Sequence, residues 1–297
     1  MLDFRLKVFH TVAKRLNFTR AARELYISQP AVTKHVKALE DAYGIQLFER
    51  NGTKIQLTYG GELLLKSTEE IFGIYRKLET DLHALSGEHV GKLRIGASTT
   101  IANYILPRVL PAFREKYPDV NIELRVGNTE WIEKLVKEKE IDLGVTEGYS
   151  KSPGLKYTPF IRDEIVLTAA TNHPLAKTGT VDPEILPQHP LLIREPGSGT
   201  RDVIAHALET LKIKMADLNI AIQLTSSESI KLYLIHSECL AFLSVYAILN
   251  ELRNNTCCII DVKGLEIERS FYFVRLQGKT DLLTDLFMDF ARRYNYR

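Results

Sequence analysis

From Leu2 to Thr58 the apolar residues recur every three or four positions, the period of one helix face. Phe4, Val8, Phe9, Val12, Ala13 and Leu16 predict a first amphipathic helix. Phe18 to Leu25 predicts a second, very short one with Thr19 as its N-cap. Ser28 to Glu40 predicts a third: Ser28 can cap it, and Pro30 is tolerated in the first turn, where its missing N–H has no helical acceptor. Small Ala21 and Ala22 let the second and third helices cross closely, as in a helix-turn-helix. On the third helix Val32, Val36 and Leu39 face inward, leaving Gln29, Thr33, Lys34 and Lys37 outside. Leu47 to Thr58 then reads as two short strands around an Asn51-Gly52 turn, a wing beside the third helix.

A longer period follows. From Tyr59 to about Ser86, Leu64, Ile71, Leu78 and Leu85 fall seven apart, and Thr68, Tyr75 and Leu82 fall four after the first three. A helix of ~28 residues is roughly 40 Å long, more than a small head can cover. The stripe is therefore expected to be a dimer seam, with burial against the chain's own body as the alternative. Residues 87–91 break the pattern and act as a hinge. Beyond them strands and helices alternate: strands at Lys92 to Gly96, Asn121 to Val126, Ile141 to Thr146, Glu164 to Ala170, Leu191 to Arg194, Ile220 to Thr225, Leu240 to Ser244 and Arg269 to Val274. Helices are expected at Ile101 to Lys116, Glu130 to Lys139, Arg201 to Leu211, Ser229 to Ile235 and Asp281 to Arg293. This alternation predicts an α/β domain over 92–297 made of two Rossmann-like subdomains, 92–161 with 268–297 and 162–267, joined by crossing strands and separated by a cleft.

Composition narrows the class. Hydrophobic residues at 45% and charged residues at 26% are ordinary for a globular chain of 297 residues. The net charge of +2 hides an asymmetry: residues 1–60 hold ten Lys or Arg against five Asp or Glu, and the remainder 29 against 32. A basic head on a mildly acidic body suits contact with nucleic acid at one end. The N-terminus lacks a signal peptide's apolar core, and the longest apolar stretch, near Leu240 to Leu249, is about half the ~20 residues of a membrane span. Cys239, Cys257 and Cys258 form neither a disulfide framework nor a zinc spacing, so a cytoplasmic protein without a metal or cofactor is expected.

The chemistry concentrates in two places. Gln29 and Thr33 can exchange hydrogen bonds with base edges in a major groove, whereas Lys34 and Lys37 suit phosphates. In the α/β part, ligands are expected where a strand passes into a helix, because free N–H groups there favour anions. Two such turns are Ser98-Thr99-Thr100 and Glu195-Pro196-Gly197-Ser198-Gly199-Thr200-Arg201, the second with glycines that allow an anion-binding nest. Thr146 with Glu147, and Thr225-Ser226-Ser227, end two other strands and are expected in the same cleft. Glu147 and Glu195 oppose a multiply charged ligand unless Arg194 or Arg201 offsets them. A small oxyanion or short carboxylate is the expected ligand. No His-Glu-x-x-His, Gly-x-Ser-x-Gly elbow or phosphate-loop pattern is present, so neither an enzyme nor catalytic residues are expected. A solute-binding protein without DNA function would explain residues 92–297 but leave the basic head unexplained.

The residues Phe18 to Leu25 (FTRAAREL), Ser28 to Glu40 (SQPAVTKHVKALE), Leu47 to Arg50 (LFER), Thr58 and His173 to Ala176 (HPLA) carry a specific likeness: the chain resembles a LysR-type transcriptional regulator over its whole length. The resemblance implies an all-α winged helix-turn-helix domain over 1–58, a dimerisation helix over 59–86 and a periplasmic-binding-protein-like effector domain. It implies double-stranded promoter DNA as partner, self-association as a dimer and a dimer of dimers, and RNA polymerase as a further candidate partner. By resemblance Gln29, Pro30, Thr33 and Lys34 contact DNA, with Arg50 and Lys54 on the wing and Arg20 on the preceding helix. A similar Glu-Pro-Gly-Ser-Gly-Thr-Arg turn in regulators of sulfur and of carbon assimilation puts sulfur metabolism first and carbon metabolism second. One departure is His236-Ser237-Glu238-Cys239, where many relatives have a glycine-rich turn.

Overall fold

The structure is a computed structural model that describes residues 3–51, 54–85, 89–149, 151–278 and 281–296. It divides into two compact units, 1–85 and 86–297. The first holds α1 (Phe4–Arg15), α2 (Phe18–Glu24), α3 (Gln29–Tyr43), a hairpin of β1 (Phe48–Asn51) and β2 (Lys54–Leu57), and α4 (Tyr59–Leu85). Val8, Val12, Ala21, Ala22, Val32 and Val36 form the core where α1, α2 and α3 meet. The cap of α2 is Asn17 rather than Thr19: the Asn17 carboxamide accepts the Arg20 N–H at 2.9 Å, so the helix starts one residue before the expected cap. Ser28 caps α3 as expected, accepting from the Ala31 N–H at 3.3 Å. The Gly52 of the wing turn and residues 87–88 of the hinge lie outside the described residues.

α4 is the long helix the heptads predict, but its first turns belong to the head. Leu64 and Leu65 pack on the cluster of Phe9, Ala13, Leu39 and Leu47. Lys14 Nζ meets Glu69 at 2.6 Å, and the His10 ring lies 5.3 Å from Phe72. A Cβ on Gly61 would stand 2.1 Å from the Leu47 carbonyl oxygen, so glycine permits this approach. Farther along, Ile71, Ile74, Leu78 and Leu82 are 42, 70, 49 and 57% exposed, a row of large apolar side chains uncovered in the single chain.

The second unit is α/β. Its strands are β3 (Gly91–Ser98), β4 (Val120–Gly127), β5 (Leu143–Glu147), β6 (Leu155–Ala170), β7 (Thr180–Val181), β8 (Leu191–Arg194), β9 (Ile220–Leu224), β10 (Leu240–Ser244), β11 (Cys257–Val262) and β12 (Ile267–Leu276). The helices are α5 (Thr99–Tyr104), α6 (Leu106–Lys116), α7 (Thr129–Lys137), α8 (Gly199–Thr210), α9 (Ser227–Leu234), α10 (Val245–Arg253) and α11 (Leu282–Arg293). β4-β3-β5 and β10-β8-β9 are parallel triplets, joined through antiparallel β12 and β6 in the order β4-β3-β5-β12-β6-β10-β8-β9. β6 begins nine residues before the expected start at Glu164. Pro159, which lacks an N–H, interrupts its pattern, and the register shifts opposite it between Ser270 and Tyr272. The 161/162 boundary thus falls within a continuous crossing strand. α10 and β11, unforeseen in the sequence, complete the second half.

Each half has its own core: Leu93, Ile95, Phe113, Phe271 and Phe287 in one, Leu167, Leu186, Leu191, Leu208 and Leu240 in the other. Cys239 and Cys257 are buried in a third apolar cluster with Ile230 and Ile248. Among the described residues no helix is long and apolar enough to cross a membrane.

Candidate functional site

Two groups of candidate residues occupy opposite environments. In the head, burying Val32, Val36 and Leu39 turns the other face of α3 outward, so Gln29, Pro30, Thr33, Lys34 and Lys37 are all exposed. Gln29 Nε2 donates to Thr33 Oγ1 at 3.0 Å, and that hydroxyl donates to the Gln29 carbonyl at 3.2 Å. This bond uses one of the two amide N–H groups and holds the carboxamide against the helix. Arg20 is exposed on α2. Arg50 and Lys54 stand one step out of register on β1 and β2, where Arg50 pairs with Ile55 and Asn51 with Lys54; their side chains lie outside the described part of the structure.

Three of the α/β candidates, Ser98, Glu147 and Thr200, are buried and bonded to one another. Ser98 at the end of β3 donates its hydroxyl to Glu147 Oε2, and Thr200 in the first turn of α8 donates to Glu147 Oε1 at 3.0 Å. Arg269 of β12 stands behind both. Its Nη1 donates to Thr200 Oγ1 at 2.9 Å and lies 3.8 Å from Glu147, while its Nε donates to Asp163 of β6 at 2.6 Å. Asp163 also accepts from Ser244 Oγ at 2.7 Å. Glu147, Asp163 and Arg269 are 2, 6 and 7% exposed, so two carboxylates share one buried guanidinium.

Further bonds surround the cleft: those of Glu130, Thr100 and Tyr104 cross between the halves, whereas those of Thr129 and Lys231 lie within one half. Thr129 Oγ1 donates to the Glu147 carbonyl at 2.9 Å, and a Cβ on Gly199 would come within 1.9 Å of that same oxygen. The Glu130 N–H donates to the Gly197 carbonyl at 3.1 Å, and the Thr100 and Ser227 hydroxyls are 3.3 Å apart. Tyr104 donates to Glu228 at 2.6 Å, and Lys231 pairs with Glu228 and Glu251, each at 2.9 Å. Burial opposes the charged forms of Glu228 and Lys231, yet hydrogen bonding prevails: the bonds from Tyr104 and Lys231 hold the Glu228 carboxyl below its ordinary range, and those to Glu228 and Glu251 hold the Lys231 ammonium above. Beside the Arg269 cluster a cavity of about 590 Å³ remains, lined by Tyr149, Asp163, Val203, Tyr246, Arg269 and Tyr272.

The remaining candidates are placed variously. Thr99 Oγ1 and Ser198 Oγ are buried without a hydrogen-bond partner, as is Arg269 Nη2. Glu195 is chelated by Arg194 at 2.8 and 3.0 Å. Arg201 donates to the Arg194 carbonyl and to Gln223, so neither Arg194 nor Arg201 offsets Glu147; Arg269 does. Thr146, one residue from Glu147 in β5, faces the other side of the sheet and is not brought into this group. Ser226 caps α9, accepting from the Glu228 and Ser229 N–H groups, and its neighbour Ser227 meets Thr100 instead. Sequence reasoning missed Arg269, Asp163 and Ser244. The available signal was the charged run Arg162-Asp163-Glu164 in β6 and the pair Glu268-Arg269 in β12, each interrupting a strand rich in apolar residues.

Residues 4–62 match the family model of the bacterial regulatory helix-turn-helix protein, lysR family, and residues 86–295 match that of the LysR substrate binding domain. The chain belongs to the LysR family. This LysR-family chain is 30% identical over 285 residues to the HTH-type transcriptional activator CmpR of Synechocystis sp., covering 96% of this chain and 92% of that one. It is 29% identical over 269 residues to the HTH-type transcriptional regulator CysL of Bacillus subtilis, covering 91% and 89%. The regulatory domain of Synechocystis CcmR, solved in complex with 2-PG, superposes with a TM-score of 0.62 at 28% identity, covering 68% of this chain and 95% of that one. The chain is a LysR-type transcriptional regulator and not an enzyme.

Proposed function

We propose that this regulator reads promoter DNA with α3, sits on it as a dimer or dimer of dimers, and answers to a small anion taken up between the halves of its α/β unit. The exposed, capped Gln29–Thr33 face carries the DNA part of this reading. A carboxamide held on the first turn of a helix can contact base edges in the major groove, while Lys34 and Lys37 contact phosphates. The wing adds Arg50 and Lys54. The exposed row on α4 supports self-association, and two reading helices suit a pseudo-palindromic site.

For the ligand, the cavity beside Arg269 brings Arg162 and Arg269 together with Tyr149, Tyr246, Tyr272 and Ser270, cations and hydroxyls suited to a short carboxylate or small oxyanion, although Asp163, Glu164 and Glu268 also line it. Carbon assimilation ranks ahead of sulfur assimilation, reversing the order taken from the turn sequence, because the chain is also 32–34% identical to probable RuBisCO transcriptional regulators. Sulfur remains the second reading through the likeness to CysL. The test is a thermal-shift screen with 2-phosphoglycolate, short carboxylates, sulfate, thiosulfate and O-acetylserine, followed by footprinting on selected genomic fragments with each stabilising ligand. A ligand that stabilises the protein and alters footprint or bend supports the reading. An unchanged footprint and bend at saturating ligand removes it.

A further inference from the structure

The place where both halves converge their hydroxyls is already filled. The Glu147 carboxylate accepts from Ser98 of one half and Thr200 of the other, with Arg269 Nη1 3.8 Å away. Its backbone is fixed independently by Thr129 and by the close approach of Gly199. Two further donors of the same turn and strand have no partner: Ser198 Oγ, two residues before Thr200, and Nη2 of Arg269 are buried and unbonded. A carboxylate ringed by hydroxyls and a guanidinium, with donors to spare, has the chemistry of a bound anion.

We infer that Glu147 is a built-in carboxylate that occupies the anion seat of the cleft and holds its halves together in the absence of effector. This rests on the cleft reading above and adds a direction to it. An anionic effector wins the seat by turning the Glu147 side chain out, which unties Ser98 from Thr200, so binding loosens the closed cleft instead of closing an open one. Glu147 is then the specificity-determining residue: its charge sets the threshold an incoming anion must overcome. The backbone contacts at Thr129 and Gly199 leave the side chain as the part that moves.

The test compares the full-length protein with Glu147→Ala and Glu147→Gln. Sodium formate at 100 mM, against sodium chloride of equal ionic strength, should raise the Tm of Glu147→Ala by about 3 °C and leave the unsubstituted protein within about 0.5 °C, because only the shortened side chain vacates a carboxylate-sized seat. Glu147→Gln keeps the side-chain shape and removes the repelling charge, so it should bind sulfate or 2-phosphoglycolate at least about tenfold more tightly than the unsubstituted protein. Equal formate and chloride shifts in Glu147→Ala would overturn the inference; so would equal anion affinities of Glu147→Gln and the unsubstituted protein, which alone decides if the alanine variant does not fold. Tight binding to the unsubstituted protein with no gain in Glu147→Gln leaves anion sensing standing and sinks only the role of Glu147. Formate rescue with no binding of either larger anion supports the seat and counts against an anionic effector.

Discussion

The head and the cleft put similar side chains to opposite use. Gln29, Thr33, Lys34 and Lys37 are exposed on a helix whose stability comes from its other face, so they can be changed with little effect on the fold. Ser98, Glu147, Thr200 and Arg269 are buried and bonded to one another, so changing one disturbs the bonds of the rest. A surface that must meet a partner as large as DNA is presented outward. A pocket for a small ligand is kept in order by polar groups that bind each other when the ligand is away. Substitution should therefore separate function from stability in the head and couple them in the cleft.

The largest effect is expected from Arg269→Met. It strands two buried carboxylates, Glu147 and Asp163, and should cost about 3–5 kcal/mol, a fall in Tm near 10 °C by thermal unfolding. Retention of the full Tm would mean that the buried cluster contributes nothing to holding the halves. Next is Gly199→Ala, whose Cβ would meet the Glu147 carbonyl; a cost of about 1–3 kcal/mol by denaturant unfolding is expected, and a neutral result would break the picture of a tightly closed cleft. In the head, Lys34→Ala should leave stability within about 0.5 kcal/mol and reduce the salt slope of DNA binding by about one, seen in affinities at several salt concentrations. An unchanged slope would remove Lys34 from the phosphate contacts.

The smallest effect concerns pH. Burial pushes the His173 imidazole below its ordinary value, and its Nδ1 accepts the Leu175 N–H at 3.1 Å, which favours the neutral ring. A histidine depressed in the folded state contributes stability that is present above the unfolded value near 6.5 and is lost as pH falls from there to its folded value. His173→Asn should flatten that part of a stability-against-pH curve. A curve of the same shape would assign the acid sensitivity elsewhere.

The head was legible because its signals are local. A capped helix with a three-four stripe puts Gln29 and Thr33 outside wherever the helix lies, and the likeness of the Ser28 to Glu40 segment named the fold. The first cap failed only because Asn17 and Thr19 both have capping side chains and lie two residues apart. In the cleft the sequence located the turns at Ser98 and Ser198 and the ends of β5 and β9 from strand-to-helix order alone. It could not show that Glu147 reaches 49 residues back to Ser98 and 53 forward to Thr200, nor that Arg269, 69 residues beyond Thr200, supplies the charge first sought in Arg194 and Arg201. Such pairings follow from how the two halves close on each other. α10 escaped notice because the run from Leu240 stays largely apolar through the strand-to-helix change at Ser244, with that single serine to mark it.

That side chains on the outer face of α3 read sequence without supporting the fold is tested most directly by measuring Gln29→Ala on a genomic fragment selected by the unsubstituted protein and on unrelated DNA, with its Tm recorded alongside. The expected result is a Tm within about 1 °C, roughly tenfold weaker binding to the selected fragment and little change on unrelated DNA. Equal losses on both DNAs, or a lowered Tm that accounts for the loss, would contradict base reading by this helix.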